Sequence, residues 1–489
     1  MRDWCADSWE ALLRVSVYGP SVFAFQRWPR EEMKGKPTIA AILGSRYRVP
    51  MTLLRGLQPR ARWMRLGTAE ILKRFYFCER SLVIGCSAWL PLIGAIDPKT
   101  LLPLFSWQNA QTAHELRERV FELKYPSRAM EEEGADRSLV ELFNELRNSP
   151  SEAAFFSVLG TVLLPAVRDA YSEFLHHSDP LADAPTHRFL NLALTEKHQQ
   201  IETVRAWADE ELARRPADRA GAEAWTAAFL ERLSALGGVG TERVPVDLGH
   251  ESLPGARPYA VPNEPARDEH YHLTRFYWPD NFDPSYPYGE GYRLQLRSAI
   301  SHLNEVWAVE TGGIILSAFA SVLPWEWIHD AARWTYDESR HCRMGRDRLT
   351  AWGYKPEELP LGNYIYIASS GEDPIYRLGM LFFFETKNIR HKPERVKAFH
   401  SIGDAASEHD MDFDWADETI HAGYGKRWLQ KLLEIRGEDQ SRYQQIRDRC
   451  GEMVSAVVKT ARPEEVAELT LLVDSILAKA ENPGVQTSL

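Results

Sequence analysis

The chain of 489 residues predicts an all-α fold whose C-terminal half is a four-helix bundle. Three observations carry this expectation. Segments with apolar residues spaced three and four apart run almost throughout, separated by breaks rich in proline and glycine, with no run of alternating strands. Two of these segments hold the same short pattern, Glu338-Ser-Arg-His341 and Glu418-Thr-Ile-His421, each preceded by an aspartate, Asp337 and Asp417. Residues three apart share a helix face, so each copy aims a carboxylate and an imidazole in one direction. A single glutamate in an apolar stretch precedes each copy, Glu310 before the first and Glu385 before the second. The order Glu, Glu-x-x-His, Glu, Glu-x-x-His is that of a dinuclear carboxylate metal site at the centre of four helices.

Composition bounds the rest. Hydrophobic residues make up 44% and charged residues 26%, the balance of a globular protein long enough for two or three domains. A net charge of -11 argues against an extended nucleic-acid surface, which needs clustered Lys and Arg. The scattered cysteines, Cys5, Cys78, Cys86, Cys342 and Cys450, include no Cys-x-x-Cys and favour a reducing compartment over a disulfide framework or a thiolate zinc site. The N-terminus lacks the charged-then-apolar order of a signal peptide. The longest uncharged apolar run, 81–96, contains Pro91 and is too short to span a bilayer. A soluble cytoplasmic protein is the expectation.

Helices are expected over 69–96, 107–123, 151–176, 184–214 and 222–236, within an N-terminal helical domain at 1–236. A connector at 237–290 follows. It holds Pro245, Pro254, Pro258, Pro262, Pro265, Pro279, Pro284 and Pro287, which forbid a continuing helix, and its aromatics after His270 suggest that it packs. The bundle at 291–435 is expected to use helices 292–323, 324–352, 373–389 and 392–435. Gly353 is placed to end the second, and Asp373-Pro374 to start the third. A further helix, 463–480, belongs to a C-terminal region at 436–489 that ends in a polar tail.

The metal reading has a charge argument. Glu310 sits in Trp307-Ala-Val-Glu-Thr-Gly-Gly and Glu385 follows Leu381-Phe-Phe-Phe, company in which a carboxylate is costly to bury unless paired or bound to a cation. Two divalent ions carry four positive charges, which four glutamates neutralise. Carboxylates and imidazoles without thiolates suit iron or manganese. A metal-bound imidazole donates its other N–H to an acceptor, for which Asp337, Asp414 and Asp417 are candidates that spacing does not separate. Trp307, Phe384, Trp415 and Tyr424 lie near the ligands and could line a cavity, while Gly312, Gly313 and Gly423 could leave room beside the metals.

These segments resemble a known family. His302-Leu-Asn-Glu-Val-Trp-Ala-Val-Glu310, Asp337-Glu-Ser-Arg-His-Cys-Arg-Met with Arg348-Leu-Thr-Ala-Trp-Gly353, Glu385-Thr-Lys-Asn, and Asp417-Glu-Thr-Ile-His-Ala-Gly-Tyr-Gly-Lys-Arg-Trp428 are similar to the four helices of the bacterial DUF455 proteins. Those are ferritin-like di-iron carboxylate proteins related to the tRNA hydroxylase MiaE. The resemblance covers roughly 294–428 and implies Glu310, Glu338, His341, Glu385, Glu418 and His421 as metal ligands and as the catalytic set. Glu305, five residues before Glu310, falls off that face and reads as a supporting or surface residue. Thr-Lys-Asn stands where the family has an Ala-Arg-Gly type of segment.

The N-terminal half reads either as a degenerate, metal-free copy of the same architecture or as an unrelated helical domain. Glu79 follows an aromatic run, His114, Glu115 and Glu118 fall on the next helix, Glu173 on a third, and Glu196-Lys-His-Gln199 puts an amide where a histidine is needed. His176, His177 and His198 read as surface or core residues. The expected activity is that of a non-heme dinuclear iron oxygenase or oxidase acting on a small organic substrate. It would use two iron ions, or a manganese–iron pair, with O2 as co-substrate and an external electron donor, since no flavin or nicotinamide fingerprint occurs in the chain. The alternatives are hydroxylation of a modified tRNA base, by analogy with MiaE, and a non-enzymatic iron-binding role. Neither a membrane nor a nucleic-acid partner is expected, and a homodimer is compatible with the sequence.

Overall fold

The computed structural model describes residues 60–242 and 252–481, all within one compact unit. The polar tail and the first 59 residues of the expected N-terminal domain lie outside the described residues, as do Cys5 and Pro245.

The described chain is all-α apart from one two-residue pair of parallel strands, His272–Leu273 against Pro360–Leu361. Its N-terminal half contains α1 (Arg65–Trp89), α2 (Ile96–Glu122), α3 (Arg137–Asn144), α4 (Glu152–Val158), α5 (Leu164–His177), α6 (Ala184–Arg214) and α7 (Arg219–Ala235). The second helix begins well before the expected 107. Pro98 lies in its first turn, where no donor is lost, and Pro103 is carried inside the helix. By length and composition the continuous stretch Glu152–His177 could cross a membrane, but 72% of its apolar window is buried inside the fold, the burial of a core helix.

The C-terminal half contains α8 (Tyr292–Asn304), α9 (Val306–Phe319), α10 (Trp325–Ala351), α11 (Pro374–Asn388), α12 (Lys392–Ser401), α13 (Ala405–Ile435), α14 (Tyr443–Val458) and α15 (Pro463–Glu481). Helix α9 packs on α10 and α11, and α13 packs on both of those, closing a ring of four. Helices α1 and α2 pack directly against α9 and α10, so the N-terminal half forms a wall of the same core. Two expected boundaries are confirmed by their caps. Gly353 adopts φ +80°, and the Tyr354 N–H reaches back to the Leu349 carbonyl at 3.0 Å. Asp373 accepts from the Ile375 N–H at 2.9 Å.

Two expected helices are split. The 392–435 segment breaks at Gly403, with φ +72°, and Asp404 caps the new start by accepting from the Ser407 N–H at 3.1 Å. The 292–323 segment breaks at Glu305. There the Asn304 amide donates to the Ile300 carbonyl at 2.8 Å and to the Pro360 carbonyl at 3.0 Å, and accepts from the Gly362 N–H at 2.7 Å. This side chain competes with the helix ladder, and the Glu305 N–H bonds three residues back, to His302, instead of four.

Candidate metal centre

Five of the six expected ligands converge. Glu338 and His341 come from α10, Glu385 from α11, and Glu418 and His421 from α13, each 6% exposed or less. Potential ligand atoms of Glu338, Glu385 and His421 lie within 4.8 Å of one another, as do those of Glu305, Glu338 and His341, and those of His341, Asp414 and Glu418. Glu338 is shared by the first two groups. Its Oε1 lies 3.2 Å from Nδ1 of His421 and its Oε2 3.8 Å from Nδ1 of His341, the disposition of a carboxylate that bridges two ions.

Glu310 is not in the cluster, and Glu305 stands in its place. The Glu310 carboxylate, fully buried, is held by Lys99 of α2 at 2.5 Å and by Arg267 of the connector. It therefore has its cations already. Glu305 Oε2 lies 3.2 Å from Nδ1 of His341. The expectation that Glu305 falls off the ligand face assumed one regular helix through 305 and 310. The tightened joint at Asn304 breaks that regularity.

The imidazoles are oriented by exchanged aspartates. Nε2 of His341 faces Asp417 Oδ2 at 3.3 Å, and Nε2 of His421 faces Asp337 Oδ2 at 3.3 Å. Each aspartate thus serves the histidine of the other helix. With Nε2 turned outward to an aspartate, Nδ1 of both rings faces the carboxylates, the nitrogen that a metal would take. The aspartates are balanced in turn. Arg333 contacts Asp337 at 2.7 Å and Asp417 at 3.6 Å, while Arg340 contacts Asp337 at 2.9 Å and also pairs with Asp417. Asp414 takes Lys392 at 2.5 Å and His302 at 3.1 Å, and His302 accepts from Arg348 at 2.6 Å. Trp334 donates to Glu338 at 3.0 Å and Glu385 at 3.1 Å.

The residues fit a pair of divalent cations. Asp337 and Asp417 are matched by Arg333 and Arg340, and Asp414 by Lys392, which leaves Glu305, Glu338, Glu385 and Glu418 with four charges and only the edge of Lys392, 3.1 Å from Glu418 Oε1. Glu305 Oε2, Glu385 Oε2, Glu418 Oε2 and Nδ1 of both histidines are buried without a hydrogen-bond partner. Such orphaned groups are costly unless something coordinates them. Protonation shows the same tension. Burial, followed by the neighbouring charges of Glu338 and Glu385 respectively, pushes the Glu385 and Glu418 carboxyls above the ordinary glutamate range. Burial opposes ionisation of Glu338 too, but the adjacent imidazoles of His341 and His421 outweigh it and hold that carboxyl below the usual range.

A cavity of about 250 Å3 opens onto the cluster, lined in part by Glu305, Glu338, Glu385 and Glu418. Trp307 and Phe384 line it as expected, their rings 5.1 Å apart. Trp415 instead lies at the surface, 38% exposed, and Tyr424 packs against Trp334 and His421. Gly312 and Gly313 serve helix packing, against Thr335 and the Ser87 carbonyl respectively.

The N-terminal half has its own buried polar knot. Lys197 donates to Glu79 at 2.9 Å and Asn109 at 2.6 Å, and Tyr171 donates to Glu79 at 2.6 Å. The inward positions on α6 are Lys197 and Gln200, one residue on from the expected Glu196 and Gln199, of which Gln199 is exposed and Glu196 half-buried. A lysine ammonium supplies the positive charge to the buried glutamate there. His114, Glu115, Glu118 and Glu173 take no part in the knot, and His198 is exposed.

Sequence reasoning missed Lys392, His302, Trp334, Arg333 and Arg340. The spacing of Arg333 and Arg340, one helical turn on either side of Asp337, was a readable signal for the last two. Nothing in the local pattern marks Lys392, which follows the end of α11. Residues 242–461, a span that holds every member of the cluster, match the DUF455 family profile, described as a protein of unknown function. No curated protein and no solved structure matches the chain. The match supports DUF455 for the half of the chain that carries the site, a family whose description assigns no activity.

Proposed function

We propose that this protein is a non-heme dinuclear iron oxygenase or oxidase acting on a small organic substrate. The observation that carries the reading is the set of buried, unpartnered ligand atoms of Glu305, Glu385, Glu418, His341 and His421, gathered around the shared carboxylate of Glu338. Glu305, Glu338, His341, Glu385, Glu418 and His421 would hold the two ions. Two ferrous ions held this way supply the electrons for O2 reduction and an oxidant able to attack C–H or N–H bonds.

The chain's own residues prepare that chemistry. Asp337 and Asp417 keep the imidazoles in the ligand tautomer. Trp334 fixes one carboxylate oxygen of Glu338 and one of Glu385. Trp307 and Phe384 give the cavity an apolar wall that limits water beside the ions. Lys392, buried at 3% exposure and bonded to Asp414 and Glu418, is placed to hold or pass a proton at the Glu418 carboxylate. A turnover that inserts one oxygen atom needs further electrons, which an external donor would bring.

Metal analysis after anaerobic reconstitution with ferrous iron tests the reading. About two ions per chain are expected, with loss of both in Glu338→Ala, followed by an absorbance change when O2 is admitted. A reconstituted protein that holds no iron would overturn the proposal.

A further inference from the structure

The cavity lined by the four glutamates is lined by cations as well. Arg395 of α12 and Lys387 of α11 line it, and neither has a carboxylate partner among the described residues. Both are held over aromatic rings, Arg395 at 4.2 Å from the Tyr288 centroid and Lys387 at 5.5 Å from that of Phe383. A third cation, Arg297, lies 4.9 Å from the centroid of the same Tyr288 ring and pairs through Nε with Asp280 at 2.8 Å. Its Nη1 is buried without a hydrogen-bond partner.

The charges lining this space can be summed by neighbourhood. Asp280 cancels Arg297, and two divalent ions would cancel Glu305, Glu338, Glu385 and Glu418, so Arg395 and Lys387 remain in excess. A guanidinium stacked on an aromatic ring is already restricted in orientation, so it loses little freedom on binding an oxyanion. Trp307, Phe384, Ile365 and Val454 contribute apolar surface to a lining that also holds Asn281, Ser301 and Asn388.

We infer that the cavity binds a small organic anion, a carboxylate or a phosphate monoester, with its acid group on Arg395 and Lys387. Its apolar body lies along Trp307 and Phe384 and brings a carbon or nitrogen to the glutamates. This rests on the oxidase reading for what happens there, but the anion site is built from residues outside the metal cluster.

Calorimetric titration of the full chain separates the two. The probes are a series of phenylalkanoates of increasing length, phenyl phosphate, and the corresponding uncharged phenylalkanols. The acids are expected to bind at least about tenfold more tightly than the alcohols, with affinity falling as salt is added. Lys387→Met with Arg395→Met, which keeps the apolar stems, should erase that preference while iron content stays at about two per chain. Preference for phenyl phosphate over the carboxylates would assign the anion as a phosphate ester, and the reverse as a carboxylate. In Glu338→Ala, a retained preference for acids together with lost iron would support the anion site independently of the metals. Equal binding of acids and alcohols by iron-loaded wild-type protein would overturn this inference and leave the oxidase reading standing. Absence of iron with the acid preference intact would do the opposite.

Discussion

Asp337 Oδ2 lies 3.3 Å from Nε2 of His421, a histidine on a different helix from its own. The reciprocal pair, Asp417 and His341, has the same separation. Each aspartate lies four residues before the histidine of its own motif and shares a helix face with it, yet the structure pairs it with the imidazole of the neighbouring helix. The two motifs therefore complete each other only when α10 and α13 pack. Asp337→Ala should weaken iron binding by about 10- to 100-fold while leaving the helical content unchanged. Competition against a chelator of known affinity, with circular dichroism as the control, measures this.

Glu305 and Glu310 should respond in opposite ways. Glu305→Ala is expected to lower the iron content, because its carboxylate faces His341 at 3.2 Å. Glu310→Ala should keep the iron content but destabilise the fold by about 3 to 5 kcal/mol, since Lys99 and Arg267 would be left buried and unpaired. Denaturant unfolding beside metal analysis distinguishes the two. If Glu310→Ala alone lost the iron, the placement of the cluster would be wrong.

The N-terminal knot is expected to contribute stability without binding metal. Lys197→Ala leaves Glu79 buried with only the Tyr171 hydroxyl, a change that should cost about 3 kcal/mol or more. Glu196→Ala, at a half-exposed site beside it, should shift stability by no more than about 0.5 kcal/mol. Iron content should be the same in both variants.

Gly345 of α10 has no room for a methyl group. A Cβ there would stand 2.4 Å from the Ala299 carbonyl oxygen and 2.4 Å from the Leu303 nitrogen, both backbone atoms of α8. Gly345→Ala should push the two helices apart, at a cost of about 1 to 3 kcal/mol or more, and carry Glu305 away from His341. A fall in melting temperature together with weakened iron binding is the expected pair of results.

Glu152 gives a pH dependence remote from the metal cluster. Burial, then the charge of Glu211, raises its carboxyl from 4.5 to about 7. The folded state therefore binds this proton more tightly than the unfolded state does. Its contribution to stability is full below about pH 4.5 and is lost as pH rises through about 7. Glu152→Gln should flatten that part of the stability profile, read as the difference between wild-type and variant unfolding curves across the interval.

Much of this arrangement was legible from residue spacing. Glu338, His341, Glu418 and His421 are local pairs whose common direction follows from helix geometry, and Glu385 is marked by its apolar neighbours. Glu310 carried the same apolar mark and misled, because burial of a carboxylate says only that a cation is near. Which cation it is depends on Lys99, more than two hundred residues earlier in the chain. Glu305 was passed over because a helical wheel assumes a continuous helix, and the Asn304 side chain interrupts that one by bonding to the Ile300 and Pro360 carbonyls.

By itself, the sequence determined the all-α character, the order of the three helices that carry Glu338, His341, Glu385, Glu418 and His421, and the two Glu-x-x-His pairs, all properties set within a turn or two of chain. Tertiary structure decided what depends on distant partners: which glutamate completes the cluster, which aspartate serves which histidine, and where the connector places Tyr288 and Asp280 beside the cavity. The physical reason is range. Periodicity and capping act between neighbours along the chain, whereas the charge balance of a buried carboxylate is settled by whichever cations the packed helices bring within a few ångströms of it.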